Sequence, residues 1–208
     1  MQNIIAVHYG CGWCAPSNWH NFDASPTLRF EKIPFIGRFS NKNANKFPQN
    51  VKYGDICFGL PFPDNSCDYV YCSHVLEHLS LMDFRKAISN THSLLKKNGV
   101  FRLVVPDLAF LVNEYISDKS ADSSIKFLQN SYLGRVRRNR GLKNFVFDYF
   151  GNSNHLWMWD YPSLAEELKK VGFSYVRRAF FNDSVHNIFD SVEEFSRWDN
   201  ALGIECIK

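Results

Sequence analysis

The chain lacks an apolar run approaching the ~20 residues that a membrane-spanning helix needs, and it lacks an excess of charge of either sign. Lys and Arg total 24 against 21 Asp and Glu, a net charge of +3, so the chain as a whole is not a polyanion binder. Its first residues lack the basic region of a secretory signal, so we expect no such leader. Repeats and linker-like stretches are also missing. Residues 1–208 are therefore predicted to form a single domain.

Six cysteines are present, and four of them (Cys11, Cys57, Cys67 and Cys72) lie in or beside apparent buried strands. This placement is typical of reduced, buried thiols and favours the cytoplasm. Cys11 and Cys14 form a Cys-x-x-Cys pair, a spacing that redox sites and zinc sites share. A zinc site usually needs a second ligand pair, and the sequence has no second Cys-x-x-Cys. We therefore predict a cofactor-binding turn here and no metal.

Short apolar runs alternate with helical patterns along most of the chain, which favours an α/β fold with a parallel sheet and helices on both faces. The predicted strands are 4–9, 19–23, 51–55, 67–72, 100–105, 173–181 and 203–208. A helix is predicted to begin at Ser80, with Asp83 in a capping pattern, and to end at Asn98-Gly99. Further helices are predicted over 108–116, over 123–132 and from Tyr161-Pro162 to Gly172.

Polar residues and glycines follow five of the predicted strands, and parallel sheets bind ligands at the carboxyl ends of their strands. They are Gly10 to Gly12, Asp23, Asp55, Ser73-His74 and Asp107. Asp23 suits two ribose hydroxyls, because a carboxylate accepts several hydrogen bonds, although a turn cap is the alternative. Asp55 suits an adenine amino group with Ile56 against the ring, although a solvated turn acid is the alternative. We expect all of these residues to line one rim.

The string Gly-Cys-Gly-Trp-Cys-Ala, starting at Gly10, loosely fits the dinucleotide fingerprint. Two features argue against NAD. Pro16 and Ser17 interrupt the helix that should follow the turn, and Asp23 lies 13 residues after Gly10 where about 20 are expected. The first crossover is therefore predicted to be a loop.

Two longer strings carry a family resemblance: Leu60-Pro-Phe-Pro-Asp-Asn-Ser-Cys-Asp68 and His74-Val-Leu-Glu-His-Leu79. With Asp55 before them and Leu95-Lys-Lys-Asn-Gly-Val after them, they resemble class I S-adenosylmethionine-dependent methyltransferases of the methyltransferase type 11 kind. Within that group the chain is similar to small predicted enzymes of polysaccharide biosynthesis. The resemblance covers about 4–107 and 155–181. It implies a Rossmann-like, seven-stranded, mostly parallel sheet with an antiparallel last strand.

The resemblance also implies S-adenosylmethionine as cofactor and S-adenosylhomocysteine as product. By it, Gly10, Cys11 and Gly12 would contact the methionine part, Asp23 the ribose, and Asp55 with Ile56 the adenine. Ser73 and His74 would face the transferred methyl group. The chain departs from the family between Cys14 and His20, where the common enzymes have a full helix.

Three histidines are candidates for a general base, which an alcohol acceptor needs. His78 follows His74 by four residues but not in the His-Glu-x-x-His order of zinc enzymes, so a packed helix histidine is predicted. His155 lies in a polar-then-aromatic loop and is the candidate base or substrate ligand, with a structural histidine as the alternative. Asp107 is expected to orient His155 or to bind substrate hydroxyls.

A basic stretch falls within residues 108–154, the predicted substrate-region insertion. Its members are Arg135, Arg137, Arg138, Arg140 and Lys143. A solvated loop is one interpretation. The other is an anion site for a nucleotide-linked or lipid-linked sugar, because arginine binds phosphates bidentately. The function favoured is O-methylation of a sugar or small-metabolite hydroxyl. An RNA methyltransferase is a second interpretation, less favoured because the sequence shows no other basic stripe, and a non-catalytic cofactor-binding or scaffold protein is a third.

Overall fold

The structure is a computed structural model, and it describes residues 4–32, 46–136 and 154–208. Seven strands within these ranges form one sheet in the order β3-β2-β1-β4-β5-β7-β6. Strands β1 to β5 run parallel, whereas β7 is antiparallel to both β5 and β6. This confirms the predicted fold class. The strands are β1 Ala6–Tyr9, β2 His20–Asp23, β3 Val51–Tyr53, β4 Cys67–Ser73, β5 Leu95–Pro106, β6 Tyr175–Ala179 and β7 Ala201–Ile207.

The α-helices of the described ranges are α1 Pro26–Glu31, α2 Leu81–Leu94, α3 Leu108–Ser117, α4 Ser123–Asn130, α5 Tyr161–Val171 and α6 Phe195–Trp198. The predicted start of α2 is confirmed, because the Ser80 hydroxyl accepts the amide of Asp83. Its predicted end was wrong: the helix stops at Leu94, and Leu95 already pairs with Cys67 in the sheet. None of the helices in the described ranges is long and apolar enough to cross a membrane.

The two faces of the sheet are covered by different parts of the chain. Val7 and Tyr9 belong to the larger core cluster, which α2 and α5 cover. Ala6, on the opposite face, packs in a second cluster that is closed by the connection between β6 and β7, residues 180–200. The ring of Trp19 lies 5.7 Å from that of Phe189 in this connection. Residues 10–19 contain no helix, as predicted, and the β6–β7 connection therefore covers this face instead.

Arg102 of β5 fastens the β6–β7 connection to the sheet. Its side chain is fully buried and donates to Glu193, to Asp183 at 2.9 Å and to Glu205 at 3.2 Å. The guanidinium also lies 4.6 Å from the centre of the Trp198 ring. Buried charges of this kind need several partners to offset their lost hydration, and here the connection supplies most of them.

Candidate active site at the carboxyl ends of the strands

The glycine turn after β1 depends on two glycines with positive φ, +66° at Gly10 and +53° at Gly12. A Cβ on Gly10 would lie only 2.1 Å from Cγ2 of Val75, so glycine lets the end of β1 approach the end of β4. At Gly12 a Cβ would meet nothing within 4 Å. The turn is thus tightly packed on one side and open on the other.

Asp23 joins the end of β2 to this turn. Its side chain accepts hydrogen bonds from the amide of Gly12 at 3.0 Å and from that of Ser25 at 2.8 Å. A carboxylate offers about four lone-pair positions, so two remain for ligand hydroxyls. With the open space beside Gly12, this arrangement fits the ribose of S-adenosylmethionine. The cap and the ribose interpretations of Asp23 are therefore compatible.

Asp55 lies beside Asp23, since the amide of Gly54 donates to the carbonyl of Asp23 at 3.2 Å. One carboxylate oxygen of Asp55 accepts the amide of Cys57 at 2.9 Å and so begins a short 3-10 helix, Ile56–Phe58. The Ile56 side chain is buried in the larger core cluster. Asp55 therefore acts as a turn cap at the rim, and its contact with adenine stays a prediction.

Next to Gly10 and Cys11, a cavity of about 10 Å³ separates the end of β1 from the end of β4. It has room for one water molecule at most. Arg197, from α6, closes it by donating from Nη1 to the carbonyl of Ser73 at 3.0 Å. Because the Arg197 side chain is 40% exposed, it can turn outward without disturbing the core.

The Cys11–Cys14 pair lies in the same turn, and both cysteines are free thiols. Burial, together with the nearby Asp23 charge, raises the pKa of Cys11 to about 12. Burial also raises the pKa of Cys14. Protonated thiols are poor nucleophiles, so a thiolate-based redox role does not fit this environment.

A buried carboxylate, Glu77, lies just after β4. Its side chain is 1% exposed, and the polar side chains nearest to it among the described residues are histidine rings. Nδ1 of His74 lies 3.2 Å from Oε1 of Glu77, and Nε2 of His78 lies 3.9 Å from the same oxygen. An ionised group so deeply buried needs a compensating charge close by.

His155 is brought to this carboxylate by the loop that carries it. The amides of Leu156 and Trp157 donate to the backbone carbonyl of Glu77, at 2.8 and 3.1 Å. The ring of His155 lies 5.0 Å from that of His78, and its Nδ1 is buried with no hydrogen-bond partner among the described residues. We call the group Glu77, His74, His78 and His155 the Glu77 cluster.

Within the Glu77 cluster, the pKa values of His74 and His155 are shifted in opposite directions. Burial lowers the pKa of His74, but the hydrogen bond and charge of Glu77, with the Arg197 carbonyl, raise it more, so it lies above its ordinary value. Burial dominates at His155 and lowers its pKa, although the charge of Glu77 opposes this. At neutral pH His155 is therefore uncharged and has a lone pair available, as a general base requires.

The remaining candidates are dispersed around the rim. Asp107 caps α3, accepting the amide of Ala109 at 2.9 Å, and pairs with Arg178 at 3.3 Å. Arg135 lies near the Glu77 cluster. Its guanidinium nitrogens Nε and Nη2 are each 3.1 Å from the side-chain oxygen of Asn154 when the Asn154 amide is oriented with its oxygen toward them. The other predicted basic residues lie outside the described residues; they are Arg137, Arg138, Arg140 and Lys143.

Sequence reasoning singled out His74 and His155 but missed Glu77. The available signal was the order His-x-x-Glu-His directly after a buried strand, with only apolar Val75 and Leu76 in between. The same order, on a helix, occurs in one class of zinc enzymes. A charged residue in such an apolar setting needs partners, and the neighbouring histidines are the ones at hand.

Comparison with known proteins gives a family for this geometry. Residues 7–178 match the family model described as a methyltransferase domain. An uncharacterized protein of Methanocaldococcus jannaschii is 29% identical over 115 residues, which cover 55% of this chain and 46% of that protein. The match therefore spans about half of that relative's length.

Solved structures share the fold at low sequence identity. A SAM-dependent methyltransferase from Archaeoglobus fulgidus superposes with a TM-score of 0.52 at 17% identity, covering 100% of this chain and 87% of the other. A SAM-dependent methyltransferase from Thermotoga maritima gives a TM-score of 0.52 at 15% identity, covering 100% and 84%. These likenesses show the fold.

Proposed function

Because this chain belongs to the methyltransferase domain family, we propose that it transfers the methyl group of S-adenosylmethionine to a hydroxyl oxygen of a sugar or another small metabolite. S-Adenosylhomocysteine is the second product. The observation that carries the choice of a hydroxyl is the Glu77 cluster, which can accept a proton beside the glycine turn.

The donor side of the site is formed by this chain's glycine turn and the strand ends next to it. Gly12 leaves the space for the cofactor, and Asp23 offers its two remaining lone-pair positions to the ribose hydroxyls. Asp55 faces the adenine from the neighbouring strand end. Arg197, once turned away from Ser73, pairs with the carboxylate of the methionine part. When bound, the cofactor supplies a methyl group on a positively charged sulfur, a leaving group that needs no proton from the protein.

The acceptor side has to remove a proton, because a neutral hydroxyl is a poor nucleophile. Nδ1 of His155 is the ring nitrogen best suited to take it, since the corresponding atoms of His74 and His78 have partners at 3.2 and 3.1 Å. The buried charge of Glu77 stabilises the imidazolium that forms, as an acid next to a catalytic histidine does. The rest of the acceleration comes from holding oxygen, methyl carbon and sulfur in line.

The acceptor is proposed to enter beside Arg135, which belongs to the predicted insertion 108–154 and lies next to Asn154, the neighbour of His155. A phosphorylated acceptor, such as a nucleotide-linked or lipid-linked sugar, suits the arginines of that region. Since all six cysteines are free thiols, we place the reaction in the cytoplasm.

The first test is binding of S-adenosylhomocysteine by calorimetry, with NAD as the control ligand and Asp23→Asn as the control variant. We expect saturable binding of the homocysteine compound alone and at least about tenfold weaker binding to the variant, one lost charged hydrogen-bonding group being worth about 1.5–3 kcal/mol. No binding at millimolar ligand would contradict the proposal and favour a scaffold role.

The second test incubates the protein with methyl-labelled S-adenosylmethionine and separate pools of sugars, nucleotide sugars, amines and RNA. Labelled methyl ether in a sugar pool is the expected product. Label in RNA with steep salt dependence would replace the proposal with the nucleic-acid alternative.

A further inference from the structure

We propose that Glu77, His78 and His155 bind a divalent transition-metal ion, for which zinc is the best match. The inference rests on the proposed function for its catalytic meaning, but the site itself is argued from contacts alone. One carboxylate oxygen and one ring nitrogen from each histidine all lie within 4.8 Å of one another.

These distances are close to those of a metal site. Ligands about 2.0–2.1 Å from zinc can be at most about 4.2 Å apart, and about 3.4 Å in a tetrahedron. The observed group therefore has to contract by about 1 Å. Rotation of the imidazole rings provides this, because His78 and His155 are only partly buried.

The hydrogen bonds around the histidines leave the correct nitrogen of His78 available. Its Nδ1 lies 3.1 Å from the backbone carbonyl of Asn154, so this nitrogen carries the proton and Nε2 keeps its lone pair. Nε2 is the atom that faces Glu77, at 3.9 Å. A ring N–H bonded to a backbone carbonyl is the usual support of a metal-binding histidine.

Burial supplies the second, independent observation. Oε1 of Glu77 has Nδ1 of His74 at 3.2 Å, but Oε2 of Glu77 and Nδ1 of His155 are buried and have no hydrogen-bond partner among the described residues. Leaving such groups unpaired is costly. A divalent cation coordinates oxygen and nitrogen lone pairs together, and it balances the charge of a carboxylate that is only 1% exposed.

Two histidines and one carboxylate leave coordination positions open, as catalytic zinc sites do. An acceptor with two adjacent oxygens, such as neighbouring sugar hydroxyls, can fill them. The coordinated hydroxyl then loses its proton to water because the metal lowers its pKa. Its oxygen bonds to the methyl carbon, the carbon–sulfur bond breaks, and sulfur keeps the electron pair. With metal bound, His155 is a metal ligand and no longer the base. Coordination to the metal then activates the hydroxyl in its place.

The test is cobalt and zinc binding by the full chain after treatment with a chelator, without cofactor or acceptor. We expect one equivalent of metal with visible cobalt absorption, and at least about 100-fold weaker binding to His155→Gln and Glu77→Gln. His20→Gln, at an exposed histidine of β2, should bind like the unmodified chain. Circular dichroism checks that each variant is folded.

Three outcomes would overturn the inference: no stoichiometric binding, binding that His155→Gln leaves unchanged, or binding that is lost on replacing Cys11 and Cys14. If Glu77→Gln does not fold, His155→Gln and His78→Gln decide. Binding of S-adenosylhomocysteine is measured separately on the metal-free chain. If S-adenosylhomocysteine does not bind although the metal does, the proposed function is wrong and the metal site stands.

Discussion

Gly10 and Gly12 both have positive φ, yet their surroundings differ, and single substitutions separate the two requirements. Alanine at Gly12 meets open space and costs only the strain of the left-handed conformation, about 1 kcal/mol. Alanine at Gly10 adds a clash with Val75, so about 3 kcal/mol of the unfolding free energy should be lost. Urea unfolding measures the free energy of unfolding of both variants.

For ligand binding, the substitution that costs little stability, Gly12→Ala, should have the clear effect. Gly12→Ala places a methyl group in the space beside Asp23 and should weaken S-adenosylhomocysteine several-fold although the protein stays folded. Adding Val75→Ala to Gly10→Ala should restore part of the lost stability. Equal stability losses at the two glycines would contradict the role given to Val75.

His8, on the face covered by the β6–β7 connection, makes folding sensitive to acid. Burial, helped by the charge of Arg197, lowers its pKa to about 3. The unfolded chain therefore binds this proton near pH 6.5, whereas the folded chain resists it until about pH 3. From this group, stability falls as pH drops through that window, by about 1.4 kcal/mol per pH unit.

Unfolding of the unmodified chain and of His8→Gln, each followed between pH 7 and pH 4, measures this contribution. The variant should lose less stability with falling pH, whatever its stability at pH 7. Parallel curves for the two proteins would show that His8 titrates normally and that the acid sensitivity lies elsewhere.

Strands and helices with a local sequence signal, such as an apolar run or a capping residue, were predictable. Segments positioned by contacts with residues far away in the sequence were not. Buried runs gave β1 and β4, and Pro162 and Gly172 mark the two ends of α5 in the structure as the sequence indicated. Residues 180–200 showed no pattern that predicts a cover for the far face of the sheet. Their position depends on Arg102 of β5 and on acids 81 to 103 residues away from it, which local periodicity does not reveal.

Replacing Arg102 tests that dependence. Arg102→Ala leaves Glu193 buried without its charged partner, and breaking such a pair costs about 3–5 kcal/mol, whereas Glu205 keeps Arg177 at 2.7 Å. The matched control is Arg85→Ala, which breaks the ion pair with Glu167 at a 45% exposed arginine and should cost much less. Chemical unfolding compares the two. Similar losses would show that the β6–β7 connection does not depend on its buried arginine.

For the molecule as a whole, the rim of strand ends was predictable because parallel strands place their carboxyl ends together. Gly12, Asp23 and Asp55 do lie side by side there. The Glu77 cluster was only half predictable, since His155 reaches it through hydrogen bonds between its loop and the carbonyl of Glu77, across 79 and 80 positions of sequence. The substrate role of residues 108–154 stays a prediction.

Cofactor binding at this rim should stabilise the entire domain. S-Adenosylhomocysteine at 100 times its dissociation constant adds about 2.7 kcal/mol, which for a chain of this size raises the melting temperature by about 5–10 °C. Thermal unfolding with increasing ligand measures the rise. It should be smaller in Asp23→Asn, and NAD should leave the melting temperature unchanged.

The position of β7 has a consequence for how the protein is made. This strand, Ala201–Ile207, lies between β5 and β6 although it follows both of them in the sequence. A nascent chain that has not yet reached β7 has β5 without its antiparallel neighbour and β6 without the strand that it pairs with in the described sheet. Completion of the sheet therefore waits for β7, and until then the apolar edge of β5 is available to other chains, or to a chaperone that shields it.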